Sequence, residues 1–396
     1  MAVPYQNLEE QFADVLRLAS RRLEALERPA SRTAAEERGA RELEARLERR
    51  MRRRCEATVD AGGAAPLEYL FRVFQLTDFE RHCVYLALAP ELDGSMGARY
   101  AALAPESGRL PGVELCLRTF PAPPERRSAL LGEWRTRREL LALLFRFGPS
   151  GAEDRSDLAA GLKLESRVLD FLLNDQSLDG TLEGRMELFW PDGKTLPPLV
   201  TQKETLDRMQ AYAAAVPAGT KLLFHLRGET GSGRRTLARH LCRAREQVLL
   251  TADLGQLENE RWWDNLRAVC REVILRHAAL ALTGLEPFLH PEAAGEARED
   301  EAPAAARRED RLPYLRQMLQ RAAEATDLLF VCSEAPWPPE LAGVPWERLE
   351  VPLERPDTAQ RIALWQNALL SLPGGEDIDV GALAAKFALQ PAQIAA

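Results

Sequence analysis

Residues 222–237 read L-L-F-H-L-R-G-E-T-G-S-G-R-R-T-L. An apolar run, Leu222 to Leu226, enters a glycine-rich turn, Gly228 to Gly233, and a helix starts at about Arg234. Strand, glycine turn and helix in that order make a phosphate-binding loop. Glycine lets the backbone curl closely around phosphate oxygens, and the N–H groups of the turn and the helix N-terminus point at the anion. The candidate nucleotide-binding residues are therefore Gly228, Glu229, Thr230, Gly231, Ser232, Gly233, Arg234, Arg235 and Thr236. The glycines fit G-x-x-x-x-G-K-[ST] and the next two positions do not. Arg234 replaces the lysine, Arg235 replaces the magnesium-binding hydroxyl, and Thr236 comes one residue late.

Outward from this loop, strand and helix alternate, which predicts a parallel sheet with covering helices. The expected helices are 202–215, 234–246, 260–277 and 312–325, and the expected strands are 221–226, 248–253, 278–282, 327–332 and 348–353. Helices 358–370 and 380–387 and a helical start at Pro391 follow as a partial lid. An Ala- and Glu-rich insertion at 287–310 and a turn at 373–377 interrupt the pattern.

The chain before residue 199 reads as helical. Leu8, Phe12, Val15, Leu16 and Leu23 recur at helical spacing, with a break expected near Pro29. The run Arg49, Arg50, Arg52, Arg53, Arg54 lies among glutamates and reads as a solvated helix face. A small-residue linker, 61–66, leads to two apolar helices, the second capped by Thr77 or Asp78 with Glu80 in its first turn. The apolar run 140–145 and the turn 175–180 suggest a β-wing, and Trp134, Phe145, Phe147 and Phe171 are expected in the core. The resulting division is a helical segment 1–60, a winged-helix-like domain 61–198, a three-layer α/β P-loop core 199–355 and the lid 356–396.

Composition sets further bounds. Of 396 residues 46% are apolar and 28% charged, with a net charge of −8, which weighs against a dedicated nucleic-acid binder. Six scattered cysteines with no C-x-x-C are expected as buried reduced thiols of a cytoplasmic protein, and no histidine lies at ligand spacing from a cysteine pair. No signal peptide and no membrane span is read.

The stretches F-Q-L-T-D-F-E-R-H-C-V-Y-L-A-L-A-P-E-L-D (74–93), L-K-L-E-S-R-V-L-D-F-L-L (162–173), G-S-G-R-R-T-L-A-R (231–239), S-E-A-P-W-P-P (333–339) and R-I-A-L-W-Q-N-A-L (361–369) together resemble AAA+ ATPases with an N-terminal winged helix, of the type encoded with phage-tail-like contractile injection systems. The resemblance spans about 66–396. It implies a first ATPase module with ATP or ADP as ligand. It also implies ring or tandem partners among injection-system proteins, and a second module with an intact loop further along such chains.

Compared with that family, the catalytic positions are lost. An Asp-Glu pair should end the third core strand, and Thr283 and Gly284 stand there. Glu286, two residues on, is the one candidate for a displaced base. Ser333 and Glu334 occupy the polar sensor position, and the arginine-finger positions fall on Leu341 and Val344, leaving the non-finger Arg348, with Trp346 expected to pack. Hydrolysis by this module is expected to be negligible, Mg²⁺ poorly held, and weak nucleotide binding still open. The competing expectations are a pseudo-ATPase adaptor and a winged-helix DNA-binding regulator.

Overall fold

The computed structural model describes residues 3–27, 34–148, 158, 160–193, 196–257, 261–289, 311–370 and 378–395. The chain forms two compact units, Met1–Leu178 and Asp179–Ala396. The expected break at Pro29, the insertion from 290 to 310 and the turn at 373–377 lie outside the described residues.

The first unit holds helices α1 (Leu8–Glu27), α2 (Ala34–Asp60), α3 (Pro66–Val73), α4 (Asp78–Leu92), α5 (Gly94–Leu103), α6 (Val113–Thr119), α7 (Arg127–Thr136) and α8 (Arg138–Leu141). A hairpin of β1 (Phe145–Phe147) and β2 (Leu162–Leu164) and helix α9 (Ser166–Leu172) complete it. Helix α4 runs through the middle, with every residue from His82 to Ala89 buried. Its start is a capping box. The Thr77 hydroxyl accepts the Glu80 N–H, and the Glu80 carboxylate accepts the Thr77 N–H. The Arg137 guanidinium then holds Glu80 at 2.8 Å and donates to the Phe74 and Gln75 carbonyls beyond the end of α3.

Helix α1 packs on α2, α4, α5 and α6, so residues 1–60 are not the separate segment expected from sequence. The charged face of α2 hid this, because among Leu47, Met51 and Cys55 it also buries polar residues such as Glu44 and Thr58. Arg22 of α1, 1% exposed, donates to Glu48 and to Nδ1 of His82. Arginine can only donate, so the fully buried His82 is neutral with its proton on Nε2, facing the Thr119 hydroxyl at 2.8 Å. Burial first, and the Arg22 charge second, hold its pKa well below the usual histidine range. Within the arginine run, Arg54 is drawn inward over the Tyr5 ring and pairs with Asp14 and Glu10.

The wing is the β1–β2 hairpin, in register Phe145↔Leu164, Arg146↔Lys163, Phe147↔Leu162. The turn at 175–180, expected to belong to it, comes after α9. Trp134, Phe145 and Phe171 are buried as expected, and Phe147 is half-buried at the hairpin edge.

The second unit is built on a six-stranded sheet of β3 (Met186–Phe189), β4 (Leu222–Arg227), β5 (Leu249–Asp253), β6 (Ala279–Thr283), β7 (Leu328–Ser333) and β8 (Glu347–Pro352), in the order β3-β5-β6-β7-β4-β8. All pairings are parallel except β3 with β5. Central strands β4 and β7 are mainly apolar and buried except at Arg227, whereas the edges β3 and β8 are largely exposed or half-buried, as burial of the sheet centre on both faces requires. Strand β3 falls in the stretch expected to close the winged-helix domain. It belongs to this sheet instead, because Leu188 and Phe189 pair with Leu250 and Leu249.

Helices α10 (Lys203–Ala215), α11 (Arg234–Ala244), α12 (Leu254–Leu257), α13 (Trp262–Arg276), α14 (Glu286–Leu289) and α15 (Arg311–Ala325) accompany the strands. The core lies where Leu237, Ala238, Leu241 and Cys242 of α11 meet Phe224 and Phe330, whose rings stack 5.8 Å apart. Helices α16 (Thr358–Leu369), α17 (Val380–Lys386) and α18 (Pro391–Ala395) form the lid. All six cysteines are free and buried, and burial raises the Cys242, Cys270 and Cys332 thiols to about 12.

Candidate functional site

The loop sits at the carboxyl end of β4, between β7 and β8, where open parallel sheets place their ligand crevices. Gly228 is required by crowding, since a Cβ there would lie 2.7 Å from the Leu353 carbonyl oxygen and 2.8 Å from Ser232 Oγ. Gly231 and Gly233 are required by backbone conformation, with φ of +89° and +94°. Gly233 is the N-cap of α11, so the sequence reading of turn and helix start holds.

What the loop faces is its own chain. The Thr230 N–H and the Thr230 hydroxyl both donate to one carboxylate oxygen of Glu334, each at 2.8 Å. The Glu334 N–H in turn donates to Glu286 at 3.3 Å, and Arg234 pairs with the same Glu286 oxygen at 3.9 Å. The sequence-named residues Thr230, Arg234, Glu286 and Glu334 are thus brought together. Arg235 points into solvent, and Thr236 is half-buried in the first turn of α11.

The lid closes over the same loop. Glu229 accepts from Arg355 at 2.7 Å and from Gln390 at 2.9 Å, and these bonds, Arg355 first, hold its carboxyl below the usual range. The Ala392 N–H donates to the Gly231 carbonyl at 3.1 Å. A Cβ on Gly231 would lie 3.2 Å from the Gln390 Cβ. On the other flank, Gln202 donates to the Ser232 carbonyl. Arg355, Gln390 and Gln202 were not legible from the sequence, because polar residues at loop and helix ends carry no motif.

Gly284 follows the last residue of β6. Gly284 has φ +66°, and a Cβ there would lie 2.3 Å from Asp253 Oδ1 and 3.1 Å from the Gly255 nitrogen. No side chain can stand there without moving Asp253, whose Oδ1 accepts the Gly255 N–H at 3.0 Å. Ser333, at the sensor position, is turned inward. Its hydroxyl donates to the Ala335 carbonyl and accepts from His225 Nε2. Leu341 is buried, and Trp346 packs with its indole N–H on the Leu319 carbonyl at 2.8 Å.

A nucleoside triphosphate with its magnesium does not fit these residues. A carboxylate already takes the Thr230 N–H, the Gly231 carbonyl is turned to the Ala392 N–H of the lid, and Arg235 offers no metal ligand.

In the first unit, several arginines near the wing are taken up by acids. Arg137 is held by Glu80, and Arg146, which opposes the like charge of Lys163, is held by Glu165 at 2.9 Å. Among the described residues no helix is long and apolar enough to cross a membrane.

Comparison with protein families finds a winged helix domain, described as "Winged helix domain, variant", at residues 8–186. The match begins at the first residue of α1, in agreement with the packing of α1 against α4. The chain therefore combines a helical winged-helix region with a mixed α/β sheet domain. No curated protein matches the chain.

Proposed function

We propose that the α/β unit is an AAA+-type module that has lost ATP hydrolysis. Beside the winged helix it acts as a protein-binding platform in the assembly or remodelling of a contractile injection particle. The observation that carries the non-hydrolytic half is the residue pair at the end of β6, where Thr283 and Gly284 stand in place of carboxylates and the left-handed backbone of Gly284 disfavours a side chain. Supporting the AAA+ half are the glycine loop at the carboxyl end of a central parallel strand and a small helical lid that reaches it. The injection-system setting rests on the sequence patterns at 74–93, 162–173, 231–239, 333–339 and 361–369. Other subunits of such an apparatus are the partners this reading implies, and the acid-paired arginines near the wing weigh against duplex DNA.

Phosphate release by the whole chain at saturating ATP and Mg²⁺ tests the reading. The expected rate is that of the Arg234→Ala variant. A rate clearly above that control defeats the proposal.

A further inference from the structure

The loop is tied to the chain from three sides, and one tie takes a loop N–H that an anion would otherwise use. Glu334 supplies an oxygen anion to the Thr230 N–H, the kind of acceptor a phosphate offers to a loop of this shape. Glu229 bridges the loop to Arg355, just before the lid, and to Gln390, in the turn that starts α18. The Ala392 N–H closes the ring on the Gly231 carbonyl. Separately, surface ion pairs and single hydrogen bonds contribute little. Acting together on one short loop, these contacts fix both its backbone and the position of the lid.

We propose that Glu334 is a built-in occupant of the loop's anion cradle and that Glu229, through Arg355 and Gln390, latches the lid shut, so that the lid position is set by the chain itself and not by nucleotide. The inference rests on the non-hydrolytic reading and extends it. A lid that no ligand opens offers binding partners one constant surface. The degenerate positions then form a consistent set: the acid at the sensor position, which would repel a γ-phosphate, is the group that replaces it.

Hydrogen exchange read by mass spectrometry on the whole chain tests this, with and without ATP, in wild type, Glu334→Ala and Glu229→Ala. In wild type, ATP is expected to leave exchange unchanged both over the loop (228–236) and over the lid (358–369 and 380–395). Glu334→Ala is expected to speed exchange in the loop peptide by about tenfold, and Glu229→Ala to speed it in the lid peptides, with the β7 peptide unaffected in both. Should Glu334→Ala not fold, Glu334→Gln keeps the shape, removes the charge and is expected to shift the loop peptide in the same direction. Loop exchange unchanged in the Glu334 variants, or lid exchange slowed by ATP in wild type, overturns the latch. Phosphate release by wild type would instead defeat the functional reading, so the two failures are distinguishable.

Discussion

Replacing Gly284 with alanine adds one methyl group at the point where a working ATPase would need a carboxylate. Two costs follow from the geometry. Holding a residue with a Cβ at φ +66° costs about 1–2 kcal/mol. The new Cβ also lies 2.3 Å from Asp253 Oδ1, so the carboxylate must swing away and give up the Gly255 N–H, an exposed bond contributing about 1 kcal/mol. The total, about 2–3 kcal/mol, lowers the unfolding midpoint of a domain of this size by roughly 4–12 °C. Gly343→Ala is the control, because Gly343 has φ +80° and nothing within 4 Å of its added Cβ, so it carries the backbone cost alone. Thermal unfolding of wild type and both variants, followed by circular dichroism, should place Gly284→Ala below Gly343→Ala. If the two variants unfold together, the Asp253 contact does not bar a side chain, and the steric account of the lost base is wrong.

Three further outcomes follow from buried polar groups and one cap. Burial lowers the His225 pKa from 6.5 to about 4, so the unfolded chain takes up a proton first as pH falls. The stabilisation is complete above pH 6.5 and is lost by pH 4, up to about 3 kcal/mol, and a His225→Phe variant should lack that part of the pH slope in denaturant titrations. Glu272 is fully buried, holding Arg276 at 2.9 Å and the Asp179 N–H at 3.0 Å; Glu272→Ala removes the carboxylate that balances the buried arginine and should cost about 3–5 kcal/mol in the α/β unit, read by urea unfolding. Thr77→Ala removes half of the α4 capping box and should cost about 1 kcal/mol in the winged-helix unit, read the same way.

The parts of this molecule legible from sequence are those that local chemistry specifies. The Gly228–Gly233 turn, the apolar strands β4 and β7 and the Thr77–Glu80 cap each carry their signal within a few residues, and each is found within a residue or so of its expected place. Strand β3 was not legible, because Met-Glu-Leu-Phe at a half-exposed edge has neither an apolar run nor clear alternation. The place of α1 and α2 was hidden for a related reason. Beside their apolar faces, their contacts include Arg22, Glu48 and His82, residues that composition assigns to the surface.

At the site, the departures from an ATPase could be read one by one, but not what replaced the missing chemistry. Glu229 meets Arg355 across 126 residues and Gln390 across 161, and Thr230 meets Glu334 across 104. No local pattern encodes pairings that distant. Gly284 read as a missing glutamate. Its positive φ, a feature of the folded backbone, disfavours any side chain there.

The central claim is that the chain's own Glu334 fills the cradle that a nucleotide would use. Equilibrium titration of the whole chain with a ribose-labelled fluorescent ATP, with and without Mg²⁺, tests it most directly. The account predicts no saturable binding up to millimolar nucleotide, with the Arg234→Ala variant giving the same trace. Saturable binding that Arg234→Ala abolishes would contradict it.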